Sequence, residues 1–183
     1  NLGNDGNNTG DQTTGSAKTA AVVTDFTYNA FTLGNCSGAG AWTQKDDYAG
    51  SGQVYAVGFS IGTKGYVGTG QTNLNSRVKD FWEYDPSNNT WTQKADFGGT
   101  ERTHAVGFSI GSKGYLGTGL DNSSHKKDFW EYDPSNNTWT QKADFGGNAR
   151  AFAVGFSIDT KGYMGTGEDN SVRYKDFWEY NPS

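Results

Sequence analysis

Residues 105–119 read AVGFSIGSKGYLGTG, and residues 127–147 read KDFWEYDPSNNTWTQKADFGG. Versions of these two segments recur along the chain, so that Trp42, Trp91 and Trp139 are spaced by 49 and then 48 residues. A repeat of this length is typical of propeller blades and repeat arrays. Turn residues divide each copy into four short segments with strand character. In the middle copy these strands are expected at residues 105–110, 115–118 and 128–132, and from Trp139 onwards.

The amino-acid composition also favours strands. Glycine supplies 27 of the 183 residues and aromatic residues make up 15% of the chain, whereas no segment has apolar residues at a helical period. Flat rings then provide most of the area that a core can bury. The sequence therefore predicts an all-β protein in which each copy of the repeat forms one four-stranded blade.

Charge and cysteine content exclude several classes of protein. The formal net charge is −5, whereas proteins that bind nucleic-acid backbones need clustered Lys and Arg. No apolar run of about 18 residues could span a bilayer. We therefore expect no nucleic-acid partner, no membrane span and no cofactor. The single cysteine, Cys36, excludes an internal disulfide, and the acidic, Asn- and Thr-rich chain is typical of a bacterial extracellular or cell-surface protein.

The order of residues within each copy resembles the kelch family. An aliphatic strand precedes a Tyr-containing strand that ends in glycines, and a second Tyr then precedes a Trp by seven positions, as in Tyr84 with Trp91 and Tyr132 with Trp139. The resemblance covers residues 42–183, with Gly-Thr-Gly in place of the family's glycine doublet. It implies a kelch-type β-propeller with three four-stranded blades per chain. The amino-acid sequence of the repeat also resembles that of kelch arrays in bacterial surface proteins, some of which resemble sugar mutarotases.

The count of strands predicts self-assembly. From Trp42 onwards, the chain begins with a segment that corresponds to the fourth strand of a blade. Two complete sets of four strands follow, and the last set lacks its fourth strand. Kelch propellers close by such a permutation, so we expect residues 42–45 to pair beside residues 176–180 and to complete the last blade in another chain. Three blades are too few for a ring, because propellers have about four to eight. Two chains would form a six-bladed ring, and an exchange that does not close would form a filament.

The segment before the array has a different character. Residues 1–20 are rich in Asn, Gly, Thr and Asp and predict a flexible leader. Residues 21–41 are expected to form an N-terminal arm, in which residues 21–33, AVVTDFTYNAFTL, predict one strand. This strand either docks on its own array of residues 42–183, which we favour, or is donated to a neighbouring chain.

Variation among the copies predicts where binding would occur. The loops after the second strand and between blades differ from copy to copy, and in a four-stranded blade both sets lie on one face of the disc. A recognition surface and freely drifting loops explain this variation equally well. Arg beside aromatic residues suits carboxylated sugars or protein loops. The candidate binding residues are Gln53, Tyr55, Arg77, Glu101, Arg102, His104, His125, Arg150, Phe152, Arg173 and Tyr174.

Candidate catalytic groups are sparse. Glu83, Glu131 and Glu179 recur at one strand position, which indicates an architectural role, and His104 and His125 lack the further ligands of a metal site. We expect no catalytic residue and no metal. The favoured function is a non-catalytic module that self-assembles and binds a partner, a glycan or a surface protein through its variable face. The alternatives are a structural subunit of an extracellular filament that forms by strand donation, and a mutarotase-like enzyme, which needs only one acid and one base.

Overall fold

The computed structural model describes residues 40–183, and the repeat array is the unit Lys45–Ser183. All regular elements of the described residues are strands, and three antiparallel sheets correspond to the three copies of the repeat, which we call blades 1, 2 and 3. The strands are β1 Gln53–Val54, β2 Val57–Ile61, β3 Lys64–Gly68, β4 Gln71–Thr72, β5 Phe81–Asp85, β6 Thr90–Gln93, β7 Val106–Ile110, β8 Lys113–Gly117, β9 Phe129–Asp133, β10 Thr138–Lys142, β11 Val154–Ile158, β12 Lys161–Gly165 and β13 Phe177–Tyr180.

Blades 1 and 2 follow the predicted plan. Blade 2 has the spatial order β7–β8–β9–β10, in which every strand is antiparallel to its neighbour, and blade 1 has the same order as β2–β3–β5–β6. In the register of blade 2, Phe108 lies opposite Tyr115, and Tyr115 lies opposite Glu131. The prediction of an all-β protein with four-stranded antiparallel blades is confirmed.

Blade 3 contains the three strands β11–β12–β13. Residues 42–45, the predicted fourth strand of this blade, have no regular secondary structure, and the side chain of Trp42 is fully exposed. Completion of the blade by another chain stays a prediction. The predicted leader at residues 1–20, the predicted strand at residues 21–33, and Cys36 lie outside the described residues.

Two kinds of turn shape each blade. The first two strands are joined by a two-residue turn whose first residue has a positive φ, which is 57° at Gly111 and 52° at Asp159. In the Asp-Pro-Ser-Asn-Asn turn, Asp85 Oδ1 accepts hydrogen bonds from the backbone N–H of Ser87 at 2.9 Å and from its hydroxyl at 2.6 Å. Asn89 then has a φ of 59°, which asparagine tolerates better than most residues.

Blades 1 and 2 pack through a pair of glycines. Gly107 and Gly114 of blade 2 lie against Val57, Phe59 and Ile61 of blade 1. A Cβ atom at Gly107 would lie 2.6 Å from Val57 Cγ2, and one at Gly114 would lie 2.6 Å from Phe59 Cε2. The two sheets approach this closely because neither glycine carries a side chain.

The junction between blades 2 and 3 repeats this arrangement. Val106, Phe108 and Ile110 pack against Gly155 and Gly162 of blade 3, and these three apolar side chains are at most 7% exposed. The hydrophobic core therefore lies between neighbouring sheets, where each blade buries the apolar face of the one before it.

Aromatic rings extend both junctions. Across the first, the ring centroids of Tyr66 and Tyr132 are 5.8 Å apart, and across the second those of Tyr115 and Tyr180 are 5.5 Å apart. Both distances lie in the range at which aromatic pairs attract. The two junctions are thus built from the same contacts at equivalent positions.

We expect Gly114→Ala to reduce stability by about 1–3 kcal/mol, because the added methyl group would have to displace the ring of Phe59. The matched control is Gly52→Ala, since a Cβ at Gly52 meets no atom within 4 Å and Ala149 occupies the equivalent position of blade 3. Thermal unfolding followed by circular dichroism measures both variants. Equal melting temperatures for the two variants would contradict the packing role of Gly114.

Candidate functional site

The two sets of variable loops lie side by side. In blade 1 the inter-blade strand β1 pairs with β4 of the loop after the second strand. Isolated bridges join Thr103 to Leu120 in blade 2 and Ala151 to Glu168 in blade 3. We call this surface the rim, and it comprises residues 50–56, 71–78, 99–105, 120–126, 147–153 and 168–174.

Three aromatic residues form a continuous stack on the rim, which we call the rim stack. The ring centroids of Tyr55 and His104 are 4.0 Å apart, and those of His104 and Phe152 are 3.9 Å apart. The backbone N–H of His104 donates to Tyr55 O at 3.1 Å, and that of Phe152 donates to His104 O at 3.3 Å. All three residues have φ between 56° and 60°, a left-handed conformation that is costly for residues other than glycine. The three residues occupy equivalent positions of the three copies, so this conformation belongs to the repeat itself.

Polar candidates gather beside the rim stack at the junction of blades 1 and 2. Arg77 Nη1 donates to Asn122 Oδ1 at 2.7 Å, and Asn122 Nδ2 donates to Glu101 Oε1 at 3.2 Å. Burial, with a smaller effect of the Arg77 charge, lowers the pKa of His104, so its ring is neutral at pH 7. Within the described residues, the buried atoms Arg77 Nε and His104 Nδ1 have no hydrogen-bond partner.

The structure contradicts the predicted binding role of Arg102. Its side chain is 1% exposed, and its Nη1 and Nη2 atoms donate to the two carboxylate oxygens of Asp128 at 2.6 and 2.7 Å. Nη1 also donates to Thr118 O at 2.9 Å, and the guanidinium lies 4.7 Å from the ring centroid of Phe97. Every face of the group is engaged within the blade, so Arg102 is a structural residue.

Arg150 repeats this arrangement in blade 3, and its predicted binding role is wrong for the same reason. It is fully buried, and its guanidinium donates to the carboxylate of Asp176 at 2.5 and 2.8 Å and to Thr166 O at 2.8 Å. The group lies between two rings, 4.8 Å from the centroid of Phe145 and 4.0 Å from that of Tyr174. The cation is thus enclosed by a carboxylate and two aromatic faces.

Blade 1 departs from this pattern. Gln53 stands at the position of Arg102, and Tyr48 stands at the position of Phe97. Gln53 Nε2 donates to the Tyr48 hydroxyl at 2.6 Å, and that hydroxyl donates to Asp80 Oδ2 at 3.4 Å. Burial, followed by the Asp80 charge, raises the pKa of Tyr48. Gln53 therefore belongs to the interior of blade 1, where an amide and a phenol take the place of a guanidinium.

The remaining candidates lie around blade 3 and the second junction. Arg173 is highly exposed and its Nε donates to Glu168 Oε2 at 3.3 Å. The Tyr174 hydroxyl donates a hydrogen bond to Asp169 Oδ2, and His125 forms an isolated antiparallel bridge with Leu120 of blade 2. A shallow cavity at this end of the rim is lined by Phe152, Gly167, Glu168, Arg173 and Tyr174.

Sequence reasoning missed the aspartates that hold the arginines. Asp128 and Asp176 each follow their Arg by 26 residues, and each also accepts a hydrogen bond from the indole of a Trp two residues later, at 2.8 Å. The sequence signal for this pairing was the equal separation of Arg and Asp in two copies of the repeat. By contrast, the architectural role assigned to the repeated glutamates agrees with the structure, because Glu131 accepts a hydrogen bond from the Tyr115 hydroxyl at 2.8 Å.

Four-stranded antiparallel blades that pack face to face define the β-propeller class of repeat protein. The family model of the kelch motif matches residues 65–98, which run from β3 to the loop after β6. The matched segment is thus similar to the kelch motif, and blades 2 and 3 repeat its strands. No curated protein matches the chain. Residues 40–183 contain no helix suited to crossing a membrane and no cluster of side chains placed to hold a metal ion.

The Arg–Asp pairs make stability sensitive to acid. Hydrogen bonds from Arg150 lower the pKa of Asp176 from an ordinary 3.8 to about 2. A carboxylate with a lowered folded-state pKa stabilises the protein fully above its unfolded-state pKa, and this contribution is lost as the pH falls from about 3.8 through 2.

We expect Arg150→Gln to reduce the free energy of unfolding at pH 7 by about 2 kcal/mol, less than for a fully buried pair because Asp176 is partly exposed. The variant should also lose less further stability than the wild type between pH 4 and 2. Urea unfolding at a series of pH values measures both effects, with Arg173→Gln on the exposed rim as the control. An unchanged acid dependence in Arg150→Gln would contradict the assignment.

Proposed function

We propose that this protein is a non-catalytic interaction module of the bacterial exterior, which self-associates to complete its propeller and binds a further partner through the rim. The kelch motif at residues 65–98 suggests a protein-binding β-propeller module. Self-association, the location outside the cell and the rim ligand are our proposals. The following observations support them.

The exposed apolar face of blade 3 carries the proposal of self-association. Val154, Phe156 and Ile158 are 44–55% exposed, whereas their equivalents in blades 1 and 2 are covered by the next blade. Phe177 and Trp178 are exposed beside them. A contiguous apolar surface of this kind is typical of a protein interface. Two copies of this three-bladed array would supply the six blades of a closed ring.

The rim supports binding of a second ligand. Tyr55 and Phe152 are about half exposed at the ends of the rim stack. The accessible Arg173 guanidinium lines the same shallow cavity as Phe152. An aromatic face next to an exposed guanidinium suits a carboxylated sugar or an acidic protein loop. A mutarotase-like activity has less support, because the guanidinium groups of Arg102 and Arg150 are engaged inside the blades.

The self-association is tested by the solution mass of the chain between about 1 and 100 µM, measured by sedimentation and light scattering. We expect a particle of two chains that is disc-shaped in negative-stain images. Phe156→Asp should shift the mass to one chain, and Thr140→Asp on the outer strand of blade 2 is the control of equal charge. A wild-type protein that stays at one chain throughout would overturn self-association, and fibres would support association while overturning the closed ring.

The rim is tested with an array of neutral and carboxylated glycans, followed by titration of the best glycan. We expect carboxylated glycans to bind, and Arg173→Gln to weaken binding at least tenfold while Lys142→Gln, on a strand away from the rim, leaves it unchanged. Equal binding of neutral and carboxylated glycans, or the same affinity in Arg173→Gln, would overturn the carboxylate assignment. Absence of any glycan binding would leave a protein loop as the rim ligand and overturn the glycan proposal.

A further inference from the structure

We infer that blade 1 binds a monovalent metal cation, Na⁺ or K⁺, at the position that one guanidinium nitrogen takes in blades 2 and 3. The atoms assigned to the cation are Asp80 Oδ1, Gln53 Oε1 and Thr69 O, which we call the oxygen site. The inference goes beyond the proposed function, because it concerns the interior of blade 1 and requires neither self-association nor a rim ligand. It departs from the sequence-based expectation of no metal, which considered histidine ligands.

Blade 2 shows which contacts this position makes. Arg102 Nη1 donates to Asp128 Oδ1 at 2.6 Å and to Thr118 O at 2.9 Å, so both oxygens face one nitrogen. Arg102 Nη2 donates to the other carboxylate oxygen, Asp128 Oδ2, at 2.7 Å. Arg150 makes the same three kinds of contact in blade 3. In each of these blades one positive charge therefore satisfies a carboxylate and a backbone carbonyl.

The backbone of blade 1 places the equivalent oxygens in the same arrangement. The N–H of Thr69 donates to Asp80 O at 3.1 Å, and that of Thr118 donates to Asp128 O at 3.2 Å. The φ angles of the two threonines are 57° and 58°. In both blades Oδ2 of the aspartate accepts a hydrogen bond from the indole of the Trp two residues later. Thr69 O and Asp80 Oδ1 therefore correspond to the two oxygens that meet at one arginine nitrogen in blade 2.

Tyr48 replaces only one of the two guanidinium nitrogens. Its hydroxyl donates to Asp80 Oδ2 at 3.4 Å and accepts from Gln53 Nε2 at 2.6 Å. Burial, followed by the Asp80 charge, raises the pKa of Tyr48, so the phenol keeps its proton at pH 7. On the other side of the carboxylate, Asp80 Oδ1 and Gln53 Oε1 are buried, and no donor of the described residues reaches either atom.

The balance of charge and hydrogen bonds favours a cation over a water molecule at the oxygen site. Asp128 and Asp176 each form an ion pair with an arginine, whereas Asp80 forms none in the part of the chain that the structure describes. A buried carboxylate oxygen without a partner is costly. A water molecule has two hydrogens and would leave one of the three oxygens without a donor. A cation contacts all three oxygens and neutralises the carboxylate.

The ligands of the oxygen site indicate an ion of single charge. One carboxylate and two neutral carbonyl oxygens together carry a charge of −1, which a monovalent cation balances. Ca²⁺ usually takes about 6–8 oxygen ligands, and its affinity depends on how many of them are charged. Transition metals prefer His and Cys, and residues 40–183 contain no group of three or more His, Cys, Asp and Glu that could hold a metal ion. The oxygen site therefore suits Na⁺ or K⁺.

The position of the oxygen site gives the cation a structural role. Gln53 belongs to the rim strand β1, where it lies opposite Thr72 of β4. Thr69 follows β3, and Asp80 precedes β5. The cation would thus join the rim strand of blade 1 to the ends of two strands of its sheet, as the buried arginines do in blades 2 and 3.

The first test is thermal unfolding of the full chain, followed by circular dichroism in about 300 mM NaCl, KCl or choline chloride, which screen charges equally. Choline has the same charge as the metal ions and is too large for a site of one nitrogen atom. We expect the melting temperature in NaCl or KCl to exceed that in choline chloride by about 2–5 °C, because only the folded chain forms the oxygen site. Equal melting temperatures in the three salts would overturn the inference.

The matched control is the double variant Tyr48→Phe with Gln53→Arg, which gives blade 1 the residues of blade 2. This variant should fold, because Phe, Arg and Asp already occur together at these positions in blades 2 and 3. Its guanidinium should contact both oxygens of Asp80, so its melting temperature should be the same in all three salts. A difference between salts as large as that of the wild type would show a general salt effect and overturn the oxygen site.

Sodium NMR measures the ion without reference to stability. The wild type should broaden the Na⁺ signal more than the double variant does, and added KCl should reverse this broadening. Equal broadening by the two proteins would overturn the inference.

The variant Gln53→Glu tests the charge of the ion. A second carboxylate should favour Ca²⁺, so CaCl₂ should raise the melting temperature of this variant more than NaCl of equal ionic strength does. The wild type should show no such preference for Ca²⁺. A wild type that CaCl₂ stabilises more than NaCl or KCl would overturn the assignment of a monovalent ion.

Discussion

The close approach of glycine backbones to aromatic and aliphatic side chains sets the distance between blades. At each internal junction, a Val, a Phe and an Ile from one sheet lie on two glycines of the next, as Phe59 lies on Gly114. A sheet of this protein has little core of its own, because its buried apolar residues pack in clusters shared with a neighbouring sheet, as Met164 packs with Val106 and Phe108. Every blade therefore depends on a neighbour for its core.

Buried polar contacts inside blades 2 and 3 accompany this packing between blades. In blades 2 and 3 a buried arginine is held by an aspartate, a backbone carbonyl and at least one aromatic ring. The planar guanidinium can make all these contacts at once, which lysine could not do. The carboxylate also accepts a hydrogen bond from an indole, so one aspartate fixes the two loops that lead into the first and third strands.

Much of the fold was predictable because each strand is short, is bounded by its own turn residues and recurs in the copies of the repeat. Comparison of the three copies also predicted the rim, because loops that vary among otherwise similar copies lie outside the shared core. The burial of Arg102 and Arg150 was not predicted, because an arginine in a variable loop has the same sequence signature whether it faces solvent or a carboxylate 26 residues away. The rim stack was equally hidden, since Tyr55, His104 and Phe152 share no residue type and meet only through equivalent backbone positions.

Blade 1 lacks the buried Arg–Asp pair of blades 2 and 3, and this difference has a consequence for folding. Nearly identical repeats compete for one another's strands, and a chain that pairs one blade out of step would gain most of its native contacts. Tyr48 and Gln53 lie five residues apart and move together, so an out-of-step array would place this pair beside Asp128 or Asp176. That carboxylate would then lose the arginine that holds it in the native blade. The different residues of blade 1 therefore distinguish it from the other blades and destabilise an out-of-step array at these buried polar contacts.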